Sequence, residues 1–170
     1  MKNSIIKLVL FIILSFFIFN VTSFSKKPTN KSKEKITKII YYFYDSSVPP
    51  KYHRSYTITI TENKLMIVVD SYGDIINEKE FEIDSSQFVM IKKSLVINKI
   101  RKGKNVESKG CTGGTSDQLE YFAGEEKLFS ASVYHCGQKD YGNLRGNIKN
   151  VATDIKSLIP NFSELLKREE

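Results

Sequence analysis

A chain of 170 residues that is 41% hydrophobic and 26% charged has room for one folded domain and a short appendage. Its formal charge of +7 suggests a polyanion partner, but the distribution of charge excludes nucleic acid: Lys2 and Lys7 sit in an apolar leader, six lysines against Glu34 fall between positions 26 and 38, and positions 39–170 hold 18 basic and 18 acidic residues. Two cysteines outside any Cys-x-x-Cys pair, and two histidines at no finger-like spacing from them, exclude a dithiol redox motif and a zinc finger, and no cofactor or metal motif is present.

Residues 1–25 follow the three-part secretory pattern, with lysines, then the apolar run LVLFIILSFFIF at 8–19, then small residues at Val21-Thr22-Ser23 or Ser23-Phe24-Ser25. The run is short of the roughly 20 apolar residues that span a bilayer, so the reading is a signal peptide, with an uncleaved N-terminal anchor as the alternative. Residues 26–37 are Lys, Ser, Thr, Asn and Pro apart from Glu34 and a single apolar residue, Ile36, as in a flexible basic linker. Residues 38–170 are read as a single domain.

Ile39–Tyr44 (IIYYFY) is β-branched and aromatic and is expected to be a strand, broken by Pro49-Pro50. Arg54–Glu62 (RSYTITITE) alternates, with Tyr56, Ile58 and Ile60 on one face. Leu65–Val69 is its expected hairpin partner, and Ile76–Ile83 a third strand of the meander. Glu78, Glu80, Glu82 and Asp84 alternate on one face and are read as the solvated face of an edge strand, with a bound cation or basic partner as the alternative. Asp84 and Gln87 have the spacing of a helix-capping box, and Phe88, Ile91 and Leu95 continue a helix to about Val96. Arg101–Lys109 reads as a basic loop.

Asp117–Ala123 and Lys127–Cys136 flank Gly124 as a second hairpin. That hairpin brings Cys111 near Cys136, and a bridge between them closes a loop worth roughly 3 kcal/mol in the chain-entropy model. Cys111-Thr112-Gly113-Gly114-Thr115-Ser116 lacks the Lys-Ser/Thr of a phosphate loop, and its glycines are read as bulge formers. Ile148, Val151, Ala152, Ile155, Leu158 and Ile159 form one apolar stripe, a second helix ended by Pro160, with Phe162, Leu165 and Leu166 docking a last short turn. The expected fold class is α+β: an antiparallel sheet built from hairpins, two amphipathic helices packed on it, and one disulfide.

No catalytic constellation stands out. The Pro49-Pro50 loop, carrying Tyr52, His53 and Arg54 and flanked by Tyr44, is the candidate binding surface, because Tyr and Arg are enriched where interfaces are strongest. The expectation is a binding module exported to the periplasm or the cell exterior, of the inhibitor or immunity type, with another protein as partner and membrane contact only through the leader or linker. Two alternatives stay open. One is a small envelope hydrolase using His53 or His135, which requires one of them in a cleft beside a carboxylate such as Asp45. The other is a membrane-tethered structural protein of the envelope.

Overall fold

The computed structural model describes residues 35–167. The leader and most of the linker lie outside the described residues. The strands are β1 (Lys38–Tyr44), β2 (Ser55–Thr61), β3 (Lys64–Ser71), β4 (Asp74–Glu82), β5 (Arg101–Val106), β6 (Thr115–Ala123), β7 (Glu126–Cys136) and β8 (Lys139–Arg145). The helices are α1 (Ser85–Ile97), α2 (Ile148–Ser157) and the single turn α3 (Phe162–Leu165). Among the described residues these make one sheet of eight strands in the order β4-β3-β2-β1-β6-β7-β8-β5. Every pairing is antiparallel. After the meander β1–β4, α1 carries the chain from one edge of the sheet to the other, where β5 pairs with β8.

Register decides which face each side chain takes. Tyr41 lies opposite Ile58 of β2 and Leu119 of β6, and Ile58 lies opposite Ile67 of β3. These positions, with Ile39, Ile60, Leu65 and Val69, are fully buried beneath Phe88 and Ile91 of α1 and Val151 and Ile155 of α2. Each such aliphatic side chain contributes about 1.5–3 kcal/mol by leaving water. Polar ties fix the helices. Asp84 accepts from the Gln87 N–H at 2.9 Å, and Gln87 Oε1 accepts from the Asp84 N–H at 2.9 Å, completing the expected capping box. The Ser94 hydroxyl donates to Asp154 on α2 at 2.5 Å.

Gly146 holds φ +108°, and a Cβ there would meet the carbonyl oxygens of Asn98 and Lys99 at 2.5 and 2.6 Å. The turn into α2 therefore lies directly on the turn that leaves α1, and only a residue without a side chain permits that approach. The Asn147 N–H donates to the Asn98 carbonyl at 2.9 Å across the same contact.

The sheet is larger than the hairpin pattern suggests. The stretch read as a basic loop begins with edge strand β5, and Lys139–Arg145, to which the sequence pattern assigns no element, is β8. Arg-Lys-Gly-Lys-Asn-Val and Lys-Asp-Tyr-Gly-Asn-Leu-Arg have no apolar alternation, because neither strand is buried on alternate positions along its length. β4 is the opposite edge, as the alternating glutamates suggest, and Lys64 pairs with Glu80 at 2.9 Å. The disulfide Cys111–Cys136 joins the residues on either side of the open end of the β6–β7 hairpin, with Cα atoms 6.2 Å apart. Among the described residues no helix is long and apolar enough to cross a membrane.

Candidate functional site

Two surfaces concentrate polar and aromatic chemistry, both at the end of the sheet where β1 runs into the Pro49-Pro50 loop. The loop is held from several directions. The Asp45 carboxylate accepts from the backbone N–H groups of Ser46 at 2.8 Å and Arg54 at 2.9 Å, closing the loop on itself. The Tyr72 hydroxyl donates to the Val48 carbonyl at 2.6 Å, and the Ser71 hydroxyl to the Pro50 carbonyl at 2.9 Å. Inside it the His53 ring stacks on Tyr72 with centroids 3.9 Å apart.

The four residues picked from the sequence separate into two kinds. Tyr52 and Tyr44 stand at the surface, 66% and 45% exposed. His53 is 5% exposed; its Nε2 faces the Ser55 hydroxyl at 3.4 Å and its Nδ1 is buried without a partner. Arg54 is turned inward, its Nε donating to the Leu166 carbonyl at 2.5 Å and its Nη1 to the His53 carbonyl at 2.6 Å. His53 and Arg54 are thus internal staples of the loop, and Arg54 ties it to the residues after α3. Tyr72, 56% exposed on the β3–β4 turn, joins the aromatic surface. A tyrosine beside a Gly-Asp turn carries no sequence signal for that role, since the link to residue 48 is made only by the fold.

The second surface is a cleft of about 340 Å³ between α2 and the sheet. Its lining includes Phe43, Tyr56, Asp117 and His135 from the strands and Lys149 and Lys156 from α2. A hydrogen-bond chain runs along it. The Tyr41 hydroxyl donates to Asp117 Oδ1, Asp117 Oδ2 lies 2.8 Å from His135 Nε2, and His135 Nδ1 lies 2.6 Å from Asp140 Oδ1. Register explains the assembly: Phe43 is opposite Asp117, Thr115 is opposite His135, and His135 is opposite Asp140. An adjoining cleft of about 490 Å³ shares His135 and Lys149 and adds Lys139 and Asp140.

Burial raises the Tyr41 phenol far above its ordinary range, and the neighbouring Asp117 charge adds to the effect. Tyr56 is pushed up to about 12, again mainly by burial. Tyr41 is therefore a donor, and its neutral form is the one that suits Asp117.

Carboxylates only accept, so both His135 contacts are hydrogen bonds when both ring nitrogens carry hydrogen. A ring bound in that way has no lone pair free to draw a proton from a nucleophile. Neither histidine hydrogen-bonds the Asp45 carboxylate, which accepts from the loop backbone. His135 is instead beside Asp117 and Asp140, carboxylates that sequence spacing does not connect to it. Cys136, adjacent to His135, is locked in the disulfide. Among the described residues no cluster of His, Cys, Asp and Glu has the arrangement of a metal site.

Comparison with known proteins returns no family model, no curated protein and no solved structure that matches this chain.

Proposed function

We propose that the protein is an exported binding module that engages another protein through the braced loop at residues 45–54, in the manner of an inhibitor or immunity protein. The observation that carries this reading is the bracing itself. Tyr52, Tyr44 and Tyr72 present rings at the surface while the backbone beneath them is held by Asp45, Ser71, Tyr72 and the buried His53. Rigid aromatic anchors lose little entropy on binding, which is where the affinity of small interfaces is decided. An export leader and one disulfide agree with a role outside the cytoplasm.

The test is affinity capture with the tagged chain from native envelope and medium fractions. A stoichiometric partner retained by the wild type and weakened at least about tenfold by Tyr52→Ala, as expected of an interface hot spot, supports the reading. Capture indifferent to both Tyr52→Ala and Tyr44→Ala counts against it.

One observation favours a second reading, a small hydrolase: His135 lies in a cleft beside two carboxylates. That reading requires His135 to release Asp117 or Asp140 before it acts as a base. A hydrolytic activity abolished by His135→Ala and retained by Tyr52→Ala would replace the binding reading with this one.

A further inference from the structure

Among the described residues nothing is layered over the outward face of α1, and its composition is unusual. Phe88, Ile91 and Leu95 point into the core. On the other side Val89, Lys92, Lys93, Val96 and Ile97 recur at i, i+3, i+4, i+7 and i+8, one helical face. They line a shallow groove of about 360 Å³. Val96 and Ile97 are 77% and 74% exposed, and Met90 beside them is also exposed.

The charge of this region is one-sided. Between positions 85 and 106 there are six cations (Lys92, Lys93, Lys99, Arg101, Lys102 and Lys104) and no Asp or Glu. Among the described residues none of the six forms an ion pair. Positions 39–170 are formally neutral, with 18 basic and 18 acidic residues, so the charge here is concentrated against an acidic remainder.

We propose that the α1 face and the start of β5 form a peripheral docking surface for an anionic phospholipid bilayer, with Val96 and Ile97 entering the headgroup–acyl boundary and the lysines meeting lipid phosphates. The pairing of protruding aliphatic side chains with lysines that form no ion pair among the described residues decides the class of partner. A polyanion such as nucleic acid uses the lysines and leaves Val96 and Ile97 in water. A bilayer uses both, because apolar burial and attraction to anionic headgroups add at its surface. This surface is separate from the 45–54 loop, and binding at one does not require binding at the other.

The chain contains no tryptophan, so Val96→Trp in the full chain is a local reporter that the apolar leader does not confuse. With vesicles of phosphatidylglycerol and phosphatidylcholine, its emission is expected to shift to the blue and to be quenched by lipids brominated in the upper acyl chain. Pure phosphatidylcholine vesicles are expected to leave it unchanged. Lys92→Glu with Lys93→Glu should weaken the response at least about tenfold, each reversal costing more than the roughly fivefold that one cation adds at such a surface. Ile97→Trp gives the same readout at the neighbouring position, and Glu125→Trp on the β6–β7 turn should stay unshifted. Emission from both Val96→Trp and Ile97→Trp that ignores anionic vesicles would overturn the proposal. So would a shift of equal size on neutral vesicles, or a shift produced by an acidic protein and by no vesicle.

Discussion

The ring of His53 stacks on that of Tyr72, centroids 3.9 Å apart and planes 20° from parallel, so that a buried histidine supports a surface tyrosine from beneath. Tyr72 in turn donates to Val48 within the Pro-Pro loop. The loop's shape therefore depends on a ring at position 53 more than on the imidazole's basicity.

His53→Phe keeps the stack, removes the unpartnered Nδ1, and leaves the Ser55 hydroxyl with the Asp45 N–H it already accepts at 3.0 Å. Its stability is expected to stay within about 1 kcal/mol of wild type, whereas His53→Ala leaves a cavity and loses about 2–4 kcal/mol. Urea unfolding midpoints of the two variants separate a ring requirement from a charge requirement. Equal loss in both would show that the imidazole nitrogens matter.

Tyr41→Phe removes the buried donor to Asp117 and is expected to cost about 1–2 kcal/mol, and Asp117→Ala to cost more because it strands both the Tyr41 hydroxyl and His135 Nε2. The double variant should lose less than the sum of the two. A double-mutant cycle by denaturant unfolding gives the coupling directly, and strict additivity would show that the chain contributes nothing as a unit.

Tyr41 and Tyr56 hold their protons above the ordinary tyrosine value of 10.0. Below about pH 10 the folded and unfolded states are both protonated there, and the stabilisation is fully present. As pH rises past 10 the unfolded state releases protons that the folded state keeps, so stability falls with pH, through about 12 for Tyr56. Urea midpoints at pH 11 should lie below those at pH 8, with part of the difference removed by Tyr56→Phe. Absorbance at 295 nm should show that a fraction of the phenols titrates late in the folded chain.

Glu120 sits on the sheet face opposite the helices. Burial acts to raise its carboxyl, but hydrogen bonds from Lys127 at 2.8 Å and Ser130 at 2.9 Å outweigh that and hold it below its ordinary value of 4.5. The stabilisation is present above that value and is lost as pH falls through the depressed one. Lys127→Met should therefore flatten the acid limb of stability between about pH 5 and 3, read as the change in urea midpoint across that range. An acid limb identical to wild type would show that Lys127 does not hold the carboxyl down.

Reducing the Cys111–Cys136 bridge, or replacing both residues by Ser, opens a loop of 25 residues and is expected to cost roughly 3 kcal/mol. The loss should appear as a lower thermal midpoint. It should also loosen the start of β6, where Gly114 donates its N–H to the Tyr134 hydroxyl at 3.1 Å. Hydrogen exchange at residues 111–116 measures that directly.

Much of the scaffold was legible from local patterns. The alternation of β2, the apolar run of β3, the capping box at Asp84 and the stripe from Ile148 to Ile159 each follow from which residues must face a core, and that demand repeats with the period of the element. The pairing of Cys111 with Cys136 followed from folding one hairpin about Gly124. β5 and β8 were illegible because polar edge-side strands are held by backbone hydrogen bonds, which every residue but proline can make.

The sequence by itself determined the hairpins, the helix faces, the disulfide and the concentration of tyrosine around Pro49-Pro50. Only the tertiary structure decided that His53 and Arg54 turn inward while Tyr72 turns out, that Tyr41, Asp117, His135 and Asp140 form one chain, and that α1 keeps an apolar, basic face uncovered among the described residues. Those relations join residues up to 112 positions apart, as between Arg54 and Leu166. They depend on the order in which strands enter the sheet, a choice made by the packing of whole elements and not by the spacing within any one of them.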